Sequence, residues 1–158
     1  MRGFVFGEDD APASRFETAV VMESWGPPAP KVLVIDDDPC LLPLMAEAFA
    51  RRGFRTLSAE NGEIGMRIFH EEAPDLVVTD IVMPEKDGIA TIIELKRCPI
   101  PPKVIAISGG ARISSRDCLK WARHLGADET MPKPFRMSAL VAAARQLLAE
   151  QSRVLHSI

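Results

Sequence analysis

The feature that most constrains this chain is a repeated unit: a short apolar run that ends in a polar residue, followed by a stretch with helical spacing. Val32–Ile35, Leu76–Thr79 and Val104–Ile107 are the clearest such runs. They are apolar along nearly their whole length rather than at alternate positions, which suits strands buried on both faces and not a sheet with one wet face. Phe54–Ser58 and Ala127–Met131 supply two further strands. Between and after the strands, helices are expected over about 39–52, 62–71, 89–96, 116–124 and 138–150. On the first, Leu42, Met45, Ala46 and Phe49 share one face; on the last, Leu140, Ala144, Leu147 and Leu148 do. Five β–α repeats with right-handed crossovers predict an α/β fold, a doubly wound sandwich around a parallel sheet.

The repeats start at Lys31. Residues 1–30 have no sustained period and end in Pro27, Pro28 and Pro30, which continue neither a helix nor a central strand. They are expected to form a flexible tail, with Ala19–Trp25 its one segment apolar enough to dock; Met22 offers an alternative start. The domain is expected over 31–152, with a short tail over 153–158. A helix-turn-helix or enzymatic effector would not fit in the few residues that follow, so the output expected is a protein contact made by a single domain.

Composition excludes several classes. A formal charge of −3 gives no general attraction to nucleic acid or to an anionic membrane. No apolar run approaches the roughly 20 residues of a bilayer span, and Met1–Gly7 is too short for a signal peptide, so a cytoplasmic location is expected. Cys40, Cys98 and Cys118 are scattered and suit reduced thiols; His70, His124 and His156 share no ligand spacing.

In doubly wound sheets, ligands bind beyond the carboxyl ends of the strands. Asp36 and Asp37 directly follow the first strand, Asp80 the third and Ser108 the fourth, with Lys133 just past the fifth. Three carboxylates at one rim repel unless a cation lies among them, and magnesium prefers such oxygens. A carboxylate beside that ion can act as a nucleophile toward phosphorus, with Lys133 and the Ser108 hydroxyl placed to stabilise charge on the transferred oxygens. Asp38, before Pro39, reads as a helix cap instead. Glu85 and Asp87–Gly88 read as a turn.

The segments VLVIDDDP, DLVVTDIVMPEKDG, VIAISGG and GADETMPKPF, in this order, resemble the receiver domain of bacterial two-component response regulators. The resemblance covers Lys31 to about Glu150. It implies a flavodoxin-like sheet with strand order 2-1-3-4-5. Asp80 is implied as phosphoacceptor. Asp36, Asp37 and the backbone carbonyl of Val82 are implied, with Asp80, as holders of Mg2+. Ser108 and Lys133 are implied as the hydroxyl and amine partners of the phosphoryl group, with a cis bond from Lys133 to Pro134. Such a domain is a signalling module rather than an enzyme in its own right. It takes its phosphoryl group from a sensor histidine kinase or a histidine phosphotransfer protein, then contacts a downstream protein, unknown here, or a second copy of itself.

Three departures bear on mechanism. Pro43 falls in the first helix, on the surface receivers offer to kinases. Thr130 stands where an aromatic residue is common and cannot make the same swing. Val82 and Gly110 offer no acid or amide to orient water, so rapid self-dephosphorylation is not expected. Two other readings compete. Asp36-x-Asp38 after a strand also resembles the start of haloacid dehalogenase-like phosphatases, although no acid pair follows Lys133 to complete that site. A receiver-like adaptor that works without phosphorylation would need none of the acidic set.

Overall fold

The computed structural model describes residues 27–83, 88–109 and 115–156. Five strands form one parallel sheet: β1 (Lys31–Ile35), β2 (Arg55–Ala59), β3 (Leu76–Asp80), β4 (Lys103–Ser108) and β5 (Glu129–Pro132). Their order is β2-β1-β3-β4-β5, the order the resemblance implied. Helices α1 (Leu41–Ala50), α2 (Gly62–Glu72), α3 (Gly88–Arg97), α4 (Ser115–His124) and α5 (Met137–His156) make the crossovers.

Alternate residues of the central strands feed two separate cores. Leu33, Ile35, Val77, Val104 and Ala106 pack with Met66, Phe69, Ile92 and Leu95 of α2 and α3. Val32, Val34, Val78, Ile105 and Ile107 pack with Met45, Phe49, Leu140 and Ala144 of α1 and α5. Two buried faces explain why β1, β3 and β4 are apolar throughout. The edge strands β2 and β5 are only partly covered, which suits their more polar sequences. Each fully buried large side chain contributes about 1.5–3 kcal/mol through its removal from water; Phe49 and Phe54 add an edge-to-face contact at 5.4 Å.

Some boundaries differ from the sequence expectation. Helix α5 continues to His156, so residues 153–156, expected as tail, belong to the helix. Helix α2 ends at Ala73, which takes a left-handed conformation (φ 46°) that usually selects glycine or asparagine. Pro27–Pro30 have no regular structure. Residues 1–26, 84–87, 110–114 and 157–158 lie outside the described residues, and with them the turn expected at Glu85 and Asp87 and the position of Gly110.

Candidate functional site: an acidic pocket at the strand ends

Parallel strands align their carboxyl ends, and the register fixes what meets there. Ile35 pairs with Thr79, and Asp80 pairs with Ile107. The residues following β1, the end of β3 and the end of β4 therefore reach one rim. Asp36, Asp37 and Asp80 each offer a carboxylate oxygen there, all within 4.8 Å of one another. Asp36 is fully buried and Asp80 is 4% exposed, whereas Asp37 faces solvent.

Lys133 closes the group from β5's far end. Its Nζ donates to Asp36 Oδ2 at 2.9 Å and to Asp80 Oδ2 at 3.2 Å. The Lys133 backbone N–H donates to the Ser108 carbonyl at 2.8 Å, and the Lys133–Pro134 bond is cis. Asp36 Oδ1 accepts the Asp38 N–H, and Asp80 Oδ1 accepts the Val82 N–H at 3.3 Å. Ser108 is buried at the end of β4, one residue past the partner of Asp80. The Val82 side chain is 53% exposed at the rim. The structure thus brings Asp36, Asp37, Asp80 and Lys133 into one cluster, with Ser108 and Val82 beside it.

Asp38 takes the other role expected of it. Its Oδ1 accepts the N–H groups of Cys40 and Leu41, capping the turn into α1, and these bonds hold its carboxyl below the ordinary range. Asp38, the second acid of the Asp36-x-Asp38 pair in the phosphatase reading, is not part of the cluster formed by Asp36, Asp37 and Asp80. Among the described residues no other His, Cys, Asp or Glu cluster could hold a metal, and the three cysteines are free.

The electrostatics favour a cation. Burial is the main influence on Asp80 and raises its pKa; repulsion from Asp36 adds to this, while Lys133 and the Val82 N–H oppose it. For Lys133, burial pulls the pKa down but is outweighed by Asp36 and Asp80, which raise it. The two partners therefore shift the same way, unlike an isolated ion pair, because one ammonium does not neutralise three carboxylates. Each like-charge contact costs on the order of 3 kcal/mol at an effective dielectric of about 20. Magnesium binds oxygens at about 2.1 Å, so its ligand oxygens stand about 3–4 Å apart. A set within 4.8 Å needs little closure to hold one.

Two glycines shape the site, and neither was singled out for this from sequence alone. A Cβ on Gly88, where α3 begins, would meet the Asp80 carbonyl oxygen and backbone of Ile81; a Cβ on Gly109 would meet Lys133 Cβ at 2.5 Å. Thr79 Oγ1 donates to the Asp80 carbonyl at 3.0 Å inside the core. On the α4–β5 side, Arg123 Nη2 donates to Glu129 Oε1 and to Thr130 Oγ1, so Thr130 is tied to α4 by a polar bond. A cleft of about 420 Å³ beside Lys133 is lined by Leu41, Gly109, Pro134 and Phe135.

Comparison with known proteins agrees with this geometry. The family model for the response regulator receiver domain matches residues 32–145. The transcriptional regulatory protein CpxR of Klebsiella pneumoniae is 35% identical over 118 residues, covering 75% of this chain and 49% of its own. The transcriptional activator protein PfeR of Pseudomonas aeruginosa is 37% identical over 121 residues, covering 77% and 38%. The chain thus spans half or less of these curated relatives, and the matched region is the receiver. A response regulator receiver domain protein from Clostridium thermocellum superposes with TM-score 0.73 at 28% identity, covering 79% of this chain and 98% of its own. Domains of this family signal in two-component systems and generally hold Mg2+ in an acidic pocket. With strand order, acidic rim and family match in agreement, the chain belongs to the response regulator receiver domain family.

Proposed function

We propose that Asp80 is the phosphoacceptor of this domain, taking a phosphoryl group from a sensor histidine kinase or a histidine phosphotransfer protein. The observation that carries the reading is the set of Asp36, Asp37 and Asp80 within 4.8 Å, with Lys133 bridging two of them. In the reaction, an Asp80 oxygen attacks phosphorus while the phosphorus–nitrogen bond of the donor phosphohistidine breaks. The imidazole leaves with that electron pair, and Asp80 becomes an acyl phosphate.

Asp36, Asp37, Asp80 and the Val82 carbonyl would hold the magnesium ion. When bound, it supplies positive charge to the phosphoryl oxygens. Lys133 holds Asp80 in place and offers its ammonium to the same oxygens. The Ser108 hydroxyl serves as a further donor at the end of β4. Burial of Asp36 and Asp80 keeps water from screening these charges.

The output in this proposal is a protein contact that forms only when Asp80 is phosphorylated, made with a downstream target or a second copy. Among the described residues no helix is long and apolar enough to cross a membrane.

The test is acetyl phosphate with Mg2+, read by intact mass. One added phosphoryl group on the wild type and none on Asp80→Ala is the result expected. Phosphoryl transfer that survives Asp80→Ala overturns the assignment.

A further inference from the structure

We propose that the groove at the amino end of the sheet is a docking site for this chain's own segment Phe16–Trp25. The groove consists of two adjoining cavities on the side opposite the acidic pocket. One, of about 310 Å³, is lined by Arg52, Phe54, Arg145 and Ala149; the other, of about 460 Å³, by Pro27, Ala73, Asp75 and Gln151. Pro30, Leu148 and Ser152 line both, so they form one continuous trough between β1, the end of α1 and the outer half of α5.

Three independent observations point to this occupant. First, the chain enters the trough along its wall. Arg55 N donates to the Pro30 carbonyl, and Lys31 N donates to Asp75 Oδ2 at 2.8 Å. These bonds fix the point from which the preceding residues depart, and Pro27 and Pro28 themselves line the cavity. Trp25 is two residues upstream of Pro27, within about 7 Å of chain reach.

Second, the chemistry is complementary. Phe16, Val20, Val21, Met22 and Trp25 are apolar, matching the Pro30, Phe54, Leu148 and Ala149 floor. Residues 1–26 carry five acids and two arginines, and Glu17 and Glu23 lie within the docking segment. Arg52 and Arg145 stand at the trough. Arg145 donates to the Arg52 carbonyl, and neither guanidinium is ion-paired among the described residues. They are placed to receive those carboxylates.

Third, Gln151 Oε1 is buried and has no hydrogen-bond partner among the described residues. Such a group is costly when left unpaired. Gln151 lines the trough, so a turn of its amide on docking would bring Oε1 to an N–H of the segment.

Docking here would cover the outer half of α5 and leave the acidic pocket open. The inference stands apart from the proposed phosphoryl chemistry.

The full chain carrying Trp121→Phe tests it, because Trp25 is then its sole tryptophan. Docking predicts blue-shifted emission and at least severalfold weaker acrylamide quenching than in the urea-unfolded chain. Arg145→Glu and Leu148→Asp, each introduced into that background, should return Trp25 to solvent-like emission. Far-UV circular dichroism of each variant confirms that it is folded, and the exposed Arg145 site serves if the Leu148 variant is not. Three outcomes overturn the proposal. Trp25 could be as quenchable folded as unfolded. Its protection could be indifferent to Arg145→Glu in a folded protein. Its protection could vanish on dilution together with a dimer in sedimentation, which assigns the trough to a second copy.

Discussion

At the residue scale, Asp80 and Lys133 are bound by a charge imbalance. Burial raises the Asp80 pKa above the ordinary 3.8. The folded chain then binds that proton more tightly than the unfolded one. Asp80 therefore favours folding most below pH 3.8, and this contribution is lost as pH rises through its higher folded value. In EDTA at neutral pH, Asp80→Asn should stabilise the protein by on the order of 1 kcal/mol, the relief of like-charge repulsion being partly offset by the weakened contact with Lys133. The gain should shrink toward pH 3.8 in urea titrations. Lys133→Met should act in the opposite sense, costing about 1–3 kcal/mol in EDTA because it leaves buried carboxylates unpaired. Saturating Mg2+ should recover part of that loss in the same titration. A neutral effect of both substitutions would mean that the cluster is solvated rather than coupled. These residues were legible in the sequence because each stands at the carboxyl end of a strand, where the topology directs ligands.

At the element scale, α3 and β5 are held by contacts that sequence reading does not supply. Asp128, just before β5, accepts from Lys96 Nζ of α3 at 2.7 Å, Lys103 Nζ at 3.2 Å and the Val104 N–H at 2.8 Å. Burial opposes ionisation of Asp128, but Lys96, the Val104 N–H and Lys103 together outweigh it and lower its pKa. Its stabilisation is therefore present above the unfolded value of 3.8 and lost as pH falls through the lower folded value. Asp128→Asn should cost about 1–3 kcal/mol at pH 7 and approach zero cost well below pH 3.8, measured by chemical unfolding across pH. The Gly88 position should be less forgiving. A methyl group there meets the backbone at Asp80 and Ile81, so Gly88→Ala should lower Tm and weaken Mg2+ binding together. Strand and helix order were readable from apolar periodicity. The Asp128 network, the Arg123–Thr130 bond and the left-handed Ala73 were not, because each depends on partners brought close only by the fold. The run of α5 to His156 was missed for a related reason: its outer turns lose the apolar period that marks the buried part.

At the scale of the whole molecule, the parallel sheet separates two ends with different chemistry. The carboxyl end gathers the acids and Lys133; the amino end carries the trough beside α5. Thr130, tied to Arg123 and Glu129, lies between the pocket and the exposed α4 surface around Trp121, which is 68% exposed. If phosphorylation alters β5, the Arg123 bond is where α4 would register it. Arg123→Ala should change amide signals along α4 and β5 and leave phosphoryl uptake within about twofold, as expected for an exposed pair worth under about 1 kcal/mol. The family was legible because its four motifs each sit at a strand end. The downstream partner was not, because the surfaces that would choose it carry no comparable pattern.

The central claim is that Asp80 accepts the phosphoryl group. Acetyl phosphate and Mg2+ treatment, followed by borohydride reduction and peptide mass mapping, tests it most directly. The account predicts a single modified residue, Asp80, no modification in EDTA, and none in Asp80→Ala. Modification at Asp36 or Asp37, or an unmodified wild type under conditions that label another receiver, would contradict it.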